Sequence, residues 1–312
     1  MIATEFWHWA LFGTLVGIML TLDLVAADHT GRGRLRTAVF WSAGWTSLGL
    51  LFGVLLGFMF GRETGITYLT AYLLEETLSI DNLFVFLLVF SQLQIPPAHQ
   101  RRVLLWGILS ALILRGLMIG IGVLLIQRAQ WVIYPFAALL LFAAIRLLFG
   151  EEKERTLVVE SCVVCSTWVA RFVPVTGAFH GQRFFVREKG RRVATPLFIA
   201  LVVIETTDIV FALDSIPAVL GITRDPFLVY TSNIFAMLGL RSLYFVLAGV
   251  IDRFRFIRPG LAVILIFVAA KMLLENWVHV SAGVSLAVIA SVLTTAVVAS
   301  LVIPASRSKS TS

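Results

Sequence analysis

The sequence predicts an all-α polytopic membrane protein, a single transmembrane helical bundle of about nine spans. Three observations carry this. Hydrophobic residues make up 59% of the 312, with a mean hydropathy of +0.94. Charged residues make up 14%, against about 25% in soluble domains. Apolar runs long enough for a bilayer core, about 20 residues of helix, recur along the whole chain. Two cysteines provide no disulfide framework.

The runs, in order, are 6–26, 38–60, 66–90, 103–126, 131–149, 196–222, 227–251, 261–277 and 284–303. The N-terminus, MIATEFWHW, has no basic segment of the kind that opens a cleavable signal, so the first run is expected to stay in the mature protein. The third run carries Glu75, Glu76 and Asp81, the fourth Arg115 and the fifth Arg146. Residues 150–195 are read as a cytoplasmic loop. Within it RFFVREKGRRVAT sets β-rich flanks around a Lys-Gly turn, which predicts a hairpin whose basic face meets anionic headgroups. Cys162 and Cys165 form a lone C-x-x-C. A structural zinc site wants four ligands, so these are expected to be free thiols. The sixth run holds Glu205, Asp208 and Asp214, and Pro217 is expected to break its helix. The seventh holds Arg241 and the eighth, the shortest, Lys271, which has Glu275 one turn on as a helical salt-bridge partner.

Basic residues in the connections set the orientation. With the N-terminus outside, 18 Lys and Arg fall on inner segments and 3 on outer ones, Arg62, Arg128 and Arg224. This places the N-terminus outside and the C-terminus inside, in a bacterial plasma membrane. Trp7, Trp9, Trp131 and Trp277 then mark the outer boundary, and Trp41 and Trp45 the inner one. The net charge of +7 thereby faces lipid headgroups, and no nucleic acid is expected.

Eleven charges remain within the runs, including Asp23 near the inner end of the first. Each costs roughly 2.5–3.5 kcal/mol at a helix centre, on the order of 30 kcal/mol together if unpaired. They must pair, protonate, face the bundle interior or bind something. Their spacing is repeated. LSIDN at 78–82 aligns with FALDS at 211–215, so Asp81 meets Asp214, Asn82 meets Ser215 and, upstream, Glu75 meets Asp208. LRGL at 114–117 answers LRSL at 240–243, and Arg146 answers Lys271. Runs 3–5 and 6–8 thus read as an inverted repeat of three spans each, a construction that puts a binding site at mid-membrane between the halves. Glu75, Ser79 and Asn82 share one helical face, as do Asp208, Ala212 and Ser215. Carboxylates, amide oxygens and hydroxyls suit hard cations such as Mg²⁺, Ca²⁺ and Mn²⁺. Asp81 and Asp214 are expected to contact the ion directly. The rival reading of this pair is an ion pair with Arg115 and Arg241.

EETLSIDNLFVF, RFFVREKGRRVATPLF, ETTDIVFALDSIPAV and TSNIFAMLGLRSLYFVL resemble the TerC family of integral membrane proteins, the tellurium-resistance TerC and Alx-like group. The resemblance runs from about the first span to the eighth, and VVESCVVCSTWV at 158–169 departs from the family's more polar loop. It implies transport of a divalent metal, Alx-like members being regarded as manganese exporters. The family's acidic positions carry over to Glu75, Glu76, Asp81, Asn82, Asp208, Asp214 and Ser215. Asp23 and Glu205 would support or guard the site, and Arg115 and Arg241 would pair or gate it.

The function expected is therefore export of a divalent cation, Mn²⁺ foremost, by alternating access. No enzyme activity and no tightly bound cofactor are expected, and a homo-oligomer is compatible with the chain. No Walker-type G-x-x-x-x-G-K-[ST] sequence is present. Two rival functions use the same acids differently. A proton-coupled small-solute exporter would need a larger, partly apolar cavity. An assembly factor for other membrane proteins would depend on loop 150–195 and not on the acids.

Overall fold

The computed structural model describes residues 5–26, 34–149, 151–188, 190–248, 256–275 and 277–302. Among the described residues each of the nine apolar runs overlaps a helix: α1 (Phe6–Ala26), α2 (Arg34–Phe60), α3 (Arg62–Gln92), α4 (Pro97–Arg128), α5 (Ile133–Phe149), α7 (Pro196–Leu220), α8 (Pro226–Leu247), α9 (Ile257–Leu274) and α10 (Ala282–Val302); residues 249–251, 276 and 303 of the last three runs lie outside the described residues. Five segments are long and apolar enough by themselves to cross a membrane: Arg36–Phe60, Pro97–Arg128, Pro196–Leu220, Ile257–Leu274 and Ala282–Val302. The chain is thus an all-α membrane protein.

Helix boundaries follow local chemistry. Prolines 97, 196 and 226 open α4, α7 and α8 at the first turn, where a missing N–H costs nothing. Asp225 caps α8, its Oδ1 accepting from the Phe227 and Leu228 amides at 3.0 and 3.3 Å. Pro217 does not break α7, contrary to expectation. It sits in the last turn, where its only helical cost is the unpaired carbonyl of Leu213.

Within 150–195 the structure adds an element the sequence reading lacks. Helix α6 (Glu151–Phe172) packs on α7 and α3. The predicted hairpin follows, β1 (Phe185–Glu188) antiparallel to β2 (Arg191–Ala194), with Gly190 at φ 79° in its turn, a conformation glycine adopts without strain.

Two buried clusters fix the direction of the central helices. One joins Ala71, Leu74 and Leu78 of α3 to Ile216, Val219 and Leu220 of α7. The other joins Leu83, Phe86 and Phe90 of α3 to Leu197, Ala200 and Val203 of α7. The first half of α3 therefore faces the second half of α7, and the two helices run antiparallel. Around them α4 packs on α7, α8 on α3, and α5 on α9. A third cluster holds α1 and α2 against α3 and α8. Close approach of α2 to α3 depends on small residues one turn apart: a Cβ on Gly49 would strike the Tyr72 ring, and one on Gly53 would strike Leu69 and Tyr68. Trp45 is buried in this cluster beside Trp41.

Candidate functional site

The helical faces inferred from spacing are the ones the fold buries. Glu75, Ser79 and Asn82 of α3 are enclosed, as are Asp208, Ala212 and Ser215 of α7. At their centre stands Arg115 of α4, 2% exposed. Its Nη1 donates to Glu75 Oε2 at 3.2 Å, its Nη2 to Asp208 Oδ1 at 3.2 Å and its Nε to Asp208 Oδ2 at 3.4 Å. One guanidinium thus ties three helices and grips two repeat-related acids, in a planar fork suited to carboxylates. Arg115 was expected, if paired, to hold Asp81 or Asp214; the antiparallel packing brings it Glu75 and Asp208 instead.

The triad carries two negative charges and one positive. It also leaves polar atoms unsatisfied. Among the described residues, Ser79 Oγ on the Glu75 face of α3 and Ser215 Oγ on the Asp208 face of α7 are buried without a hydrogen-bond partner. Asn233, from the Thr-Ser-Asn run of α8, stands beside Glu75. Sequence reasoning did not single it out, although three consecutive polar residues in an apolar helix were the available signal. Native interiors leave few such groups, so each marks a helical face on which something polar can bind.

The remaining residues sort by position along the bundle. Asp81 lies six residues beyond Glu75 on α3, and Asp214 six beyond Asp208 on α7. On antiparallel helices these offsets point in opposite directions, about 9 Å each at 1.5 Å per residue. The acids that Arg115 brings together are Glu75 and Asp208, and neither Asp81 nor Asp214 belongs to that contact. The side chains of Asp81, Arg241 and Asp23 lie outside what the structure describes. Asp214 is partly buried, and Arg146 of α5 is the cation whose field reaches it.

Matches to known proteins concern the same helices. The profile of the integral membrane protein TerC family covers residues 60–309, from the start of α3 through α10. The chain belongs to the TerC family. An uncharacterized membrane protein of Myxococcus xanthus is 45% identical over 94% of this chain and 92% of its own length. Alx of Escherichia coli K12, provisionally named a membrane-bound redox modulator, is 40% identical over 91% of each chain. A membrane protein of Rickettsia bellii is 35% identical over 94% of this chain and 97% of its own. No solved structure matches.

Two of the acidic positions carried over from the TerC resemblance or named beside them sit apart from the triad. Glu76 turns toward α2, where Thr46 Oγ1 donates to its Oε1 at 3.3 Å, and Tyr72 of its own helix also hydrogen-bonds the carboxylate. Glu205 accepts a hydrogen bond from Ser110 of α4. Lys271 does not form the expected bridge within its helix. Its Nζ donates to Ser285 Oγ of α10 at 3.3 Å, while Glu275 pairs with Arg224 at 2.5 Å. Among the described residues no three Asp, Glu, His or Cys side chains converge as a metal cage. The place between Glu75 and Asp208 is held by Arg115.

At one end of the bundle a cavity of about 580 Å³ opens between the start of α3, the end of α7 and the end of α9. Glu63, Thr67, Arg224, Lys271, Glu275 and His279 line it. It lies on the Asp214 side of the triad.

Proposed function

We propose that this protein exports a divalent metal cation, Mn²⁺ foremost among the hard cations, across a bacterial plasma membrane. The observation that carries the proposal is the buried pair Glu75 and Asp208. They occupy the same position in two three-helix units, on antiparallel helices, around one cation. Exchange of the units α3–α5 and α7–α9 leaves the main packing unchanged: α4 on α7 becomes α8 on α3, and α5 on α9 maps to itself. This supports the inverted repeat.

In this reading Asp81 and Asn82 receive the ion from the cytoplasmic end, Glu75 and Asp208 hold it midway, and Asp214 and Ser215 pass it to the cavity at the outer end. All of these ligands are oxygen donors, the class that hard cations select. Two carboxylates match the charge of a divalent ion. Rocking of one unit against the other would close the path on alternate sides.

The relatives' name raises redox chemistry as a rival. The chain's two thiols, Cys162 and Cys165 on α6, do not favour it. Burial pushes the Cys162 thiol up to about 11, and burial raises Cys165 as well. The thiolate that exchanges with disulfides is thus scarce at neutral pH.

Purified protein in liposomes loaded with MnCl₂ tests the function. Mn²⁺ release should depend on the protein, with Mg²⁺ and Ca²⁺ competing less well. Release no faster than from protein-free liposomes, with folded and inserted protein, would overturn it.

A further inference from the structure

We infer that Arg115 is a tethered substitute for the transported ion, occupying the cargo's place when the carrier is empty. The inference rests on the cation-export reading and adds how the empty carrier returns. A carrier that releases a divalent ion from two buried carboxylates is left with two negative charges inside the membrane. Such a form is trapped, because buried unpaired charge is strongly disfavoured. The Arg115 guanidinium lies between Glu75 and Asp208, with three N–H···O contacts of 3.2–3.4 Å. The site is not fully satisfied by it. Ser79 Oγ on the Glu75 face of α3 and Ser215 Oγ on the Asp208 face of α7 stay buried without partners, hydroxyl oxygens an ion could meet as it enters or leaves the carboxylates.

The geometry fits a competitor better than a permanent brace. The contacts lie at or beyond the 2.7–2.9 Å typical of strong charge-assisted pairs. Arg115 comes from α4, whereas both acids sit on α3 and α7, so a modest shift of α4 frees both at once. Arg115 also cannot be neutralised by losing its proton, so its charge is available in every cycle. With Mn²⁺ bound, the guanidinium must leave the carboxylates. After release it returns, and the unit can reorient without cargo.

The test uses full-length protein in liposomes and compares two fluxes. One is exchange of labelled Mn²⁺ with Mn²⁺ present on both sides; the other is net efflux into Mn²⁺-free buffer. For the natural protein the two rates should agree within about threefold. An exchange rate more than tenfold above net efflux would overturn the inference without any variant, because the empty form would then be the trapped one. Arg115→Gln should keep exchange within about threefold while net efflux falls at least tenfold. Its Mn²⁺ affinity, read by the paramagnetic resonance signal of free Mn²⁺, should rise at least tenfold because the competitor is gone. Arg115→Lys should keep net efflux. Parallel loss of exchange, efflux and binding in folded Arg115→Gln would make Arg115 a structural brace and overturn the inference. Natural protein that moves no Mn²⁺ in either assay would instead remove the transport reading itself.

Discussion

Glu75 and Asp208 meet on a single guanidinium, each 3.2 Å from a different nitrogen of Arg115. They fall at matching positions when LSIDN at 78–82 is set over FALDS at 211–215, so two acids aligned in sequence share one cation in space. Antiparallel α3 and α7 make this unavoidable. Where two such helices cross at matching residues, those residues meet, and residues further along each helix diverge.

That divergence separates the acids by role. Glu75→Gln or Asp208→Asn breaks a buried ion pair and strands part of Arg115, which costs about 3–5 kcal/mol. Each should lower the unfolding temperature in detergent clearly and abolish Mn²⁺ efflux. Asp214→Asn touches a partly buried residue outside the triad, so it should change stability by about 1 kcal/mol or less, as exposed pairs do, yet cut efflux at least tenfold. Thermal unfolding followed alongside flux separates the classes. Equal destabilisation by all three variants would contradict the arrangement.

Cross-linking checks the antiparallel crossing directly. Thr67 of α3 and Ile222 just after α7 line the same cavity. Cysteines at these two positions, with Cys162 and Cys165 replaced by serine, should be joined by a short bifunctional thiol reagent. The same reagent on cysteines replacing Asp81 and Asp214 tests whether those two acids share one ion. Efficient joining of the second pair would favour a common ion site.

Much of this was legible in the sequence. Helix positions followed from apolar run length, and the enclosed faces from the spacing of Glu75, Ser79 and Asn82 against Asp208, Ala212 and Ser215. The partners were not. A carboxylate's position along a chain does not say which neighbouring helix brings its cation, so Arg115 was assigned to the wrong acids. Pro217 misled because its effect depends on place: near a helix end it removes one hydrogen bond and breaks nothing. Helix α6 was hidden because its first turns, EEKER, are highly charged and the apolar part that follows is short.

The thiols give a pH prediction. Burial holds Cys162 protonated up to about 11, whereas in an unfolded chain a thiol ionises near 8.5–9. The folded state binds the proton more tightly, so this contribution to stability is complete below about pH 8.5 and is lost as pH rises through about 11. Alkylation of Cys162 by iodoacetamide should be slow at pH 8 and climb with a midpoint near 11. Cys162→Ser and Cys165→Ser should leave Mn²⁺ flux within twofold. Fast alkylation at neutral pH, or loss of flux in these variants, would revive a thiol function.

Orientation decides which way the ion moves. In the orientation we propose from the 18-to-3 distribution of basic residues, the α6–hairpin segment is cytoplasmic and the cavity is outside. Val278 is 52% exposed beside that cavity, and Gly190 is exposed at the hairpin turn. In a background lacking the natural cysteines, a membrane-impermeant maleimide added to intact cells should label Val278→Cys and spare Gly190→Cys, and permeabilised cells should label both. The Gly190 site also strains any side chain at φ 79°, so Arg191→Cys on the adjoining strand serves as a second inner reporter. Both inner positions should behave alike. Labelling of either in intact cells, with Val278→Cys protected, would reverse the topology, and the Asp214 end would then be the cytoplasmic entrance rather than the exit.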